Sequence, residues 1–154
     1  MKKILVFLIL STFVITNGSA QTDLRKKQFN LDRSALAIEG YDPVAYFVNS
    51  KAIEGKKDIN ITIEGVKYHF SSVKNRELFK ADPSKYEPQY GGWCAYAMGK
   101  NNEKVSVDPE TFKILNGKLY LFYNKFFTNT LKDWNKDETN LKTKADQNWI
   151  KTNQ

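Results

Sequence analysis

Cys94 is the only cysteine of this 154-residue chain, and His69 is its only histidine. Met98 follows Cys94 by four residues, at the end of the run Tyr86-Glu-Pro-Gln-Tyr-Gly-Gly-Trp-Cys-Ala-Tyr-Ala-Met98. A helix opening after Gly91-Gly92 puts Cys94 and Met98 on one face, because positions i and i+4 are neighbours on a helix. Thiolate and thioether together are ligands suited to soft ions such as Cu(I). The start of a helix favours the thiolate, through its free amides and dipole. His69 joins them only if its strand face turns toward that helix. The candidate metal ligands are therefore Cys94, Met98 and His69. A plain packing reading stands beside this one. Free cysteine is among the most buried residue types, methionine fills gaps in cores, and a histidine on a polar strand face is ordinarily solvated.

Other chemistry finds little support. There is no Gly-x-Ser-x-Gly elbow and no Gly-rich phosphate loop. A zinc site needs three or four N, S or O ligands at orderly spacing, and one Cys with one His does not supply them. Glu39, Asp42, Asp82 and Asp108 each sit next to turn residues, as caps and turn formers do. An enzyme would have to use Cys94 as nucleophile with His69 as its base. The expectation is a non-enzymatic protein.

These residues must be held by a domain that starts some way into the chain. Lys2-Lys3, the apolar run Ile4–Ile15 and Gly18-Ser-Ala20 have the order of a secretory signal peptide. The run is shorter than the roughly 20 residues of a spanning helix, and no second run is long enough to span. The expected location is periplasmic or secreted, with no membrane span in the mature chain. Removing residues 1–20 from 154 leaves 134, enough for one domain with its own core. Loss of Lys2 and Lys3 lowers the net charge from +7 to +5. The lysines are dispersed, which suits a solvated surface better than nucleic-acid binding. A lone thiol makes no internal disulfide; it is buried, metal-bound or shared between chains.

Residues 21–36 read as a polar lead-in or short helix, and 37–154 as the domain. Ile59, Ile61 and Ile63 alternate with polar residues, as do Val66, Tyr68 and Phe70. With Glu64-Gly65 between them they predict a hairpin with one buried face, and His69 falls on the polar face beside Lys67. Ser71-Ser72 caps a helix to about Ala81, stopped by Asp82-Pro83. Pro83 to Pro88 reads as irregular, Lys104–Val107 as a short strand and Asp108-Pro109 as a turn. Thr111–Leu115, Asn116-Gly117 and Lys118–Tyr123 form the strongest hairpin signal. Its second strand is apolar on both faces, which predicts a central strand with cover on both sides. Phe127, Leu131 and Trp134 are spaced for one amphipathic helix, and Leu141, Ala145 and Trp149 for another. The fold class is α+β, a small antiparallel sheet with helices packed on it.

Five segments in this order resemble the exported YHS-domain proteins: Gly40-Tyr-Asp-Pro-Val-Ala-Tyr-Phe47, Tyr68-His-Phe-Ser-Ser72, Pro83-Ser-Lys-Tyr86, Pro88-Gln-Tyr-Gly-Gly-Trp-Cys-Ala-Tyr-Ala97 and Asn116-Gly-Lys-Leu-Tyr-Leu121. The resemblance spans about Ala37 to Trp149. It implies a small α+β domain linked to metal handling, notably of copper. The metal-linked members carry a cysteine after Asp-Pro-Val, where this chain has Ala45. They also carry Phe-Cys-Ser-x-x-Cys, where it has Phe70-Ser-Ser-Val-Lys-Asn75. A centre built on those three thiols cannot form here. Two readings follow. In one, Cys94 binds copper in a non-enzymatic role, helped by Met98 and His69. In the other, a metal-free module binds a small molecule or protein partner beside Gly91-Gly92 and Trp93, and Cys94 is a core residue.

Overall fold

The computed structural model describes residues 17–153. The expected leader, residues 1–20, therefore lies outside the described residues apart from 17–20. Helix α1 (Asn17–Gln28) covers the first half of the polar lead-in, and residues 29–36 continue without a helix. It is followed by a 3-10 turn, Ile38–Gly40, and the single turn α2 (Ala45–Val48). Among the described residues no helix is long and apolar enough to cross a membrane.

The domain is α+β, with its strands in three separate two-stranded antiparallel sheets. Strands β1 (Lys56–Ile63) and β2 (Val66–Phe70) pair as the alternation predicts, Ile63 opposite Val66 and Ile61 opposite Tyr68. Glu64 and Gly65 both have positive φ, the conformation of a primed two-residue turn. Helix α3 (Val73–Ala81) is capped by the Ser72 hydroxyl, which accepts from the Asn75 N–H. The stretch expected to be irregular contains a further turn, α4 (Pro83–Tyr86), with Asp82 as its N-cap and Pro83 in its first turn. There the missing proline N–H costs nothing.

The expected strand at Lys104–Val107 does not form. Its Val105 carbonyl accepts one bond, from Cys94 N–H at 2.9 Å, and no ladder follows. Asp108-Pro109 instead begins β3 (Asp108–Leu115), and a bulge separates Asp108 from the regular register that starts at Phe112. Strand β4 (Lys118–Phe122) pairs with β3 across the Asn116-Gly117 turn.

Both faces of β4 are buried. Leu119 and Leu121 join Tyr68, Phe70, Phe79 and Cys94 in one core; Tyr120 and Phe122 join Met98, Trp134, Leu141 and Ala145 in a second. Contrary to expectation the strand is not central in a sheet, since among the described residues β3 is its one ladder partner; it is a partition between two cores, covered by packing on both faces. Beyond its free edge lies a single bridge to Pro88, whose ring nitrogen cannot continue a ladder. The second core is closed by α5 (Ala95–Asn101) and α7 (Glu138–Thr152). They cross where Gly99 meets Leu141; a Cβ on Gly99 would stand 2.4 Å from the Leu141 carbonyl oxygen.

Phe127 does not belong to an amphipathic helix. Helix α6 runs only from Thr130 to Trp134, with Asn129 as its cap. Phe127 precedes that cap, in the turn between β5 (Asn124–Lys125) and β6 (Thr128–Asn129). The apolar spacing mimicked a helix that the cap residue rules out.

Asp42, expected to be a turn residue, is also a buried junction. Its Oδ1 accepts from the N–H groups of Val44 and Ala45, at 2.9 and 3.3 Å. Its Oδ2 accepts from Ser71 N–H (2.8 Å), the Ser71 hydroxyl (2.6 Å) and the Asn75 amide (2.7 Å). One carboxylate thereby ties the start of α2 to the β2–α3 corner. Hydrogen bonds to a charged group contribute about 1.5–3 kcal/mol each, and buried donors left unpaired carry a desolvation penalty. Asp42→Ala should therefore lower stability by about 3 kcal/mol or more, read as a shift of the denaturant midpoint. A midpoint equal to the parent's would show the junction to be dispensable.

Candidate functional site

Tyr90, Gly91 and Gly92 all have positive φ, so the chain reverses sharply just before Cys94. A Cβ on Gly91 would lie 3.1 Å from both the Phe29 Cα and the Trp149 ring, so only glycine lets these two close on the turn. The partner side of this turn is filled by the chain's own lead-in. Asn30 N–H donates to the Gly91 carbonyl (2.8 Å), and the Trp93 indole N–H donates to the Gln28 carbonyl (2.7 Å). What remains open is a groove of ≈ 250 Å³ edged by Phe29, Pro88, Tyr90 and Trp149.

Cys94 is the N-cap of α5 rather than a residue inside it. Its carbonyl accepts from Met98 N–H at 3.0 Å, so the predicted i, i+4 relation holds along the backbone. The side chain makes no cap bond to the helix amides. It turns the other way, fully buried, and accepts from Tyr123 N–H at 3.4 Å. The sulfur also lies 3.4 Å from the Thr130 hydroxyl oxygen. That hydroxyl spends its own proton on the Tyr123 carbonyl at 2.9 Å, so the contact is made by the thiol S–H donating to Thr130. A neutral thiol is satisfied on both sides here, as acceptor and as donor.

Met98 is equally buried, but it packs in the second core with Trp134 and Phe122, while Cys94 belongs to the first. His69 lies on β2 and is half-buried, lining a surface groove with Lys57, Lys67 and Asp32. Burial, followed by the ammonium groups of Lys67 and Lys57, lowers its pKa from the ordinary histidine value, and Asp32 opposes them. The structure thus puts the three sequence candidates in three different surroundings. Among the described residues no group of three or more His, Cys, Asp or Glu side chains is gathered for a metal ion.

Sequence reasoning missed the element that the sulfur holds. Thr130 N–H and hydroxyl both donate to the Tyr123 carbonyl. Tyr123 and Thr130 are the two residues that flank the small β5–β6 hairpin, and Cys94 touches both. At the other end of this hairpin, Phe126 is 86% and Phe127 112% exposed. Their φ values are +50° and +66°, the pattern of a primed turn, in which Asn-Gly is the usual pair. Bulky residues at positive φ are outliers. The available signal was Asn129, a helix cap placed after the Phe pair.

Comparison with family models, curated proteins and solved structures finds no match to this chain.

With its sulfur enclosed, Cys94 should react with a thiol reagent only as fast as the domain opens. Modification followed across a denaturant series should track global unfolding. Rapid, stoichiometric labelling of the folded protein would show the sulfur to be accessible.

Proposed function

We propose that this protein is a non-enzymatic, exported binding module of YHS type. It is metal-free, and it docks a protein partner through the Phe126-Phe127 tip, with Cys94 as a core anchor. The observation that carries this reading is the tip itself: two adjacent phenylalanines, fully exposed, in a turn conformation that costs them energy. An L-residue in the left-handed region gives up about 1–2 kcal/mol, and such strain persists where surrounding structure over-determines it, often at functional sites. Aromatic side chains are the usual anchors of protein interfaces. The exposed Lys125 beside the pair suits an apolar cleft with an acidic rim. The leader-like N-terminus supports export, and the five ordered segments support the YHS resemblance.

Burial of the Cys94 sulfur between Tyr123 and Thr130 favours the packing role over the copper role, since a metal would have to displace both hydrogen bonds. Parent and Cys94→Ser proteins should therefore compete equally with a chelator for Cu(I). Tighter binding by the parent would return the metal to Cys94.

The tip is tested by the double replacement Phe126→Asn, Phe127→Gly, which installs the pair the turn prefers. It should stabilise the fold by about 1–2 kcal/mol and raise the thermal midpoint by several degrees. A photo-crosslinking residue at Phe126, in cells making the protein, should give one discrete protein adduct. The same residue at Ile150, another exposed apolar position, should give none. Equal adducts from both positions, or a fall in stability of the double variant, would remove the tip from the reading.

A further inference from the structure

On the opposite side of β2 from the first core lies a concave site whose charges are not balanced. Strand β2 presents Lys67 and His69 there, and Tyr68 and Phe70 point into the core. The bulge between Lys56 and Asn60 interrupts the β1 register, and bulges re-aim side chains. Here the bulge brings Lys57 into the same groove, with its carbonyl bound by the Asn60 amide at 2.7 Å. The third wall is the segment 32–36. It is pinned to β2 by Lys67 N–H donating to the Ala35 carbonyl (2.8 Å) and Ala37 N–H donating to the Lys67 carbonyl (2.9 Å). The groove encloses ≈ 390 Å³, within the range of small-molecule sites.

Its charge is one-sided. Among the described residues neither Lys57 nor Lys67 has an ion-pair partner within 4.0 Å. The one carboxylate in the groove, Asp32, is committed to its own turn. Its Oδ1 accepts from Ser34 N–H (2.7 Å), the Ser34 hydroxyl (2.8 Å) and Leu36 N–H (2.9 Å). With His69 neutral the groove carries two ammonium groups against one carboxylate. A proton on His69 adds a second net positive charge.

We infer that this groove binds a small tetrahedral oxyanion, a sulfate or phosphate group, between Lys57, Lys67 and His69. Two ammonium groups and an imidazolium that line one groove can serve an anion as charge-assisted donors, the strong class of hydrogen bond. Burial, and after it the two lysines, hold His69 below its ordinary pKa, and a bound dianion opposes the lysines' part of that effect. Binding and protonation of His69 are therefore coupled: the anion raises the histidine pKa, and lower pH strengthens binding of an anion whose own charge stays constant.

The sole histidine makes the test direct. The His69 ring-proton resonance of the full-length protein is followed against pH in sodium sulfate and in sodium chloride of equal ionic strength. Sulfate should move the His69 midpoint to higher pH, saturably, with a dissociation constant of about 1–10 mM for a few charge-assisted contacts. Lys57→Gln/Lys67→Gln should weaken binding about 10-fold or more, while Lys51→Gln, at an exposed position outside the groove, should match the parent. Inorganic phosphate against methyl phosphate at one pH separates a free anion from a phosphorylated molecule, by which of the two binds more tightly. Coincident midpoints in sulfate and chloride would overturn the inference. So would a sulfate response unchanged in Lys57→Gln/Lys67→Gln. The site is independent of the Phe126-Phe127 tip, and neither result bears on the other.

Discussion

Strand β4 has no polar face. Leu119 and Leu121 on one side and Tyr120 and Phe122 on the other are all excluded from water, and a strand of that kind is stable only with apolar cover on both faces. In this chain the cover comes from two unlike sources. The β1–β2 hairpin and α3 side supplies the first core. Helices α5, α6 and α7 supply the second. The small sheets need not join, because this two-sided burial does the work a continuous sheet would otherwise do.

Cys94 sits where that partition meets the helices. Its backbone caps α5, and its sulfur reaches the residue just beyond the end of β4, Tyr123. The same sulfur meets Thr130, which opens α6. Both ends of the β5–β6 hairpin are therefore clamped to the core while its tip projects Phe126 and Phe127 into water. A small hairpin of this length has little stability of its own. The clamp explains how two aromatic residues are kept in a turn conformation they do not favour. The thiol stands at the foot of the hairpin, against both of its ends.

Polar anchoring follows the same economy. Asp42 holds α2 to the β2–α3 corner with five hydrogen bonds from one carboxylate. The lead-in helix is fastened in a similar way. Arg25 pairs with Glu87, which also accepts from the Tyr68 hydroxyl at 2.7 Å, and the Arg25 guanidinium lies 4.4 Å from the centre of the Phe29 ring. Residues read as a polar lead-in thus form one wall of the domain and close over Gly91 and Trp93.

Local signals in the sequence were sufficient for the α+β class, both long hairpins, the Ser72 cap, the Leu141–Trp149 helix and the two-sided burial of β4. Each depends on periodicity, capping or turn chemistry within about ten residues, and such rules survive without knowledge of the rest of the fold. Other features depend on contacts between distant segments. Whether Cys94 faces its helix or the far hairpin turns on Tyr123 and Thr130, 29 and 36 residues away. Met98 shares a helical turn with Cys94 in sequence, yet it enters the other core because β4 stands between the two. Phe127 kept helical spacing with Leu131 and Trp134, and only the clamped hairpin put it in solvent. The groove at His69 joins residues from three segments through a bulge that no pattern of apolar residues marks. Residue type and spacing determined the long hairpins and helices, but not α4, the β5–β6 hairpin or the absence of a strand at 104–107. The packing of those elements around β4 decided which side chains meet, because a side chain's neighbours are set by the fold and not by its place in the chain.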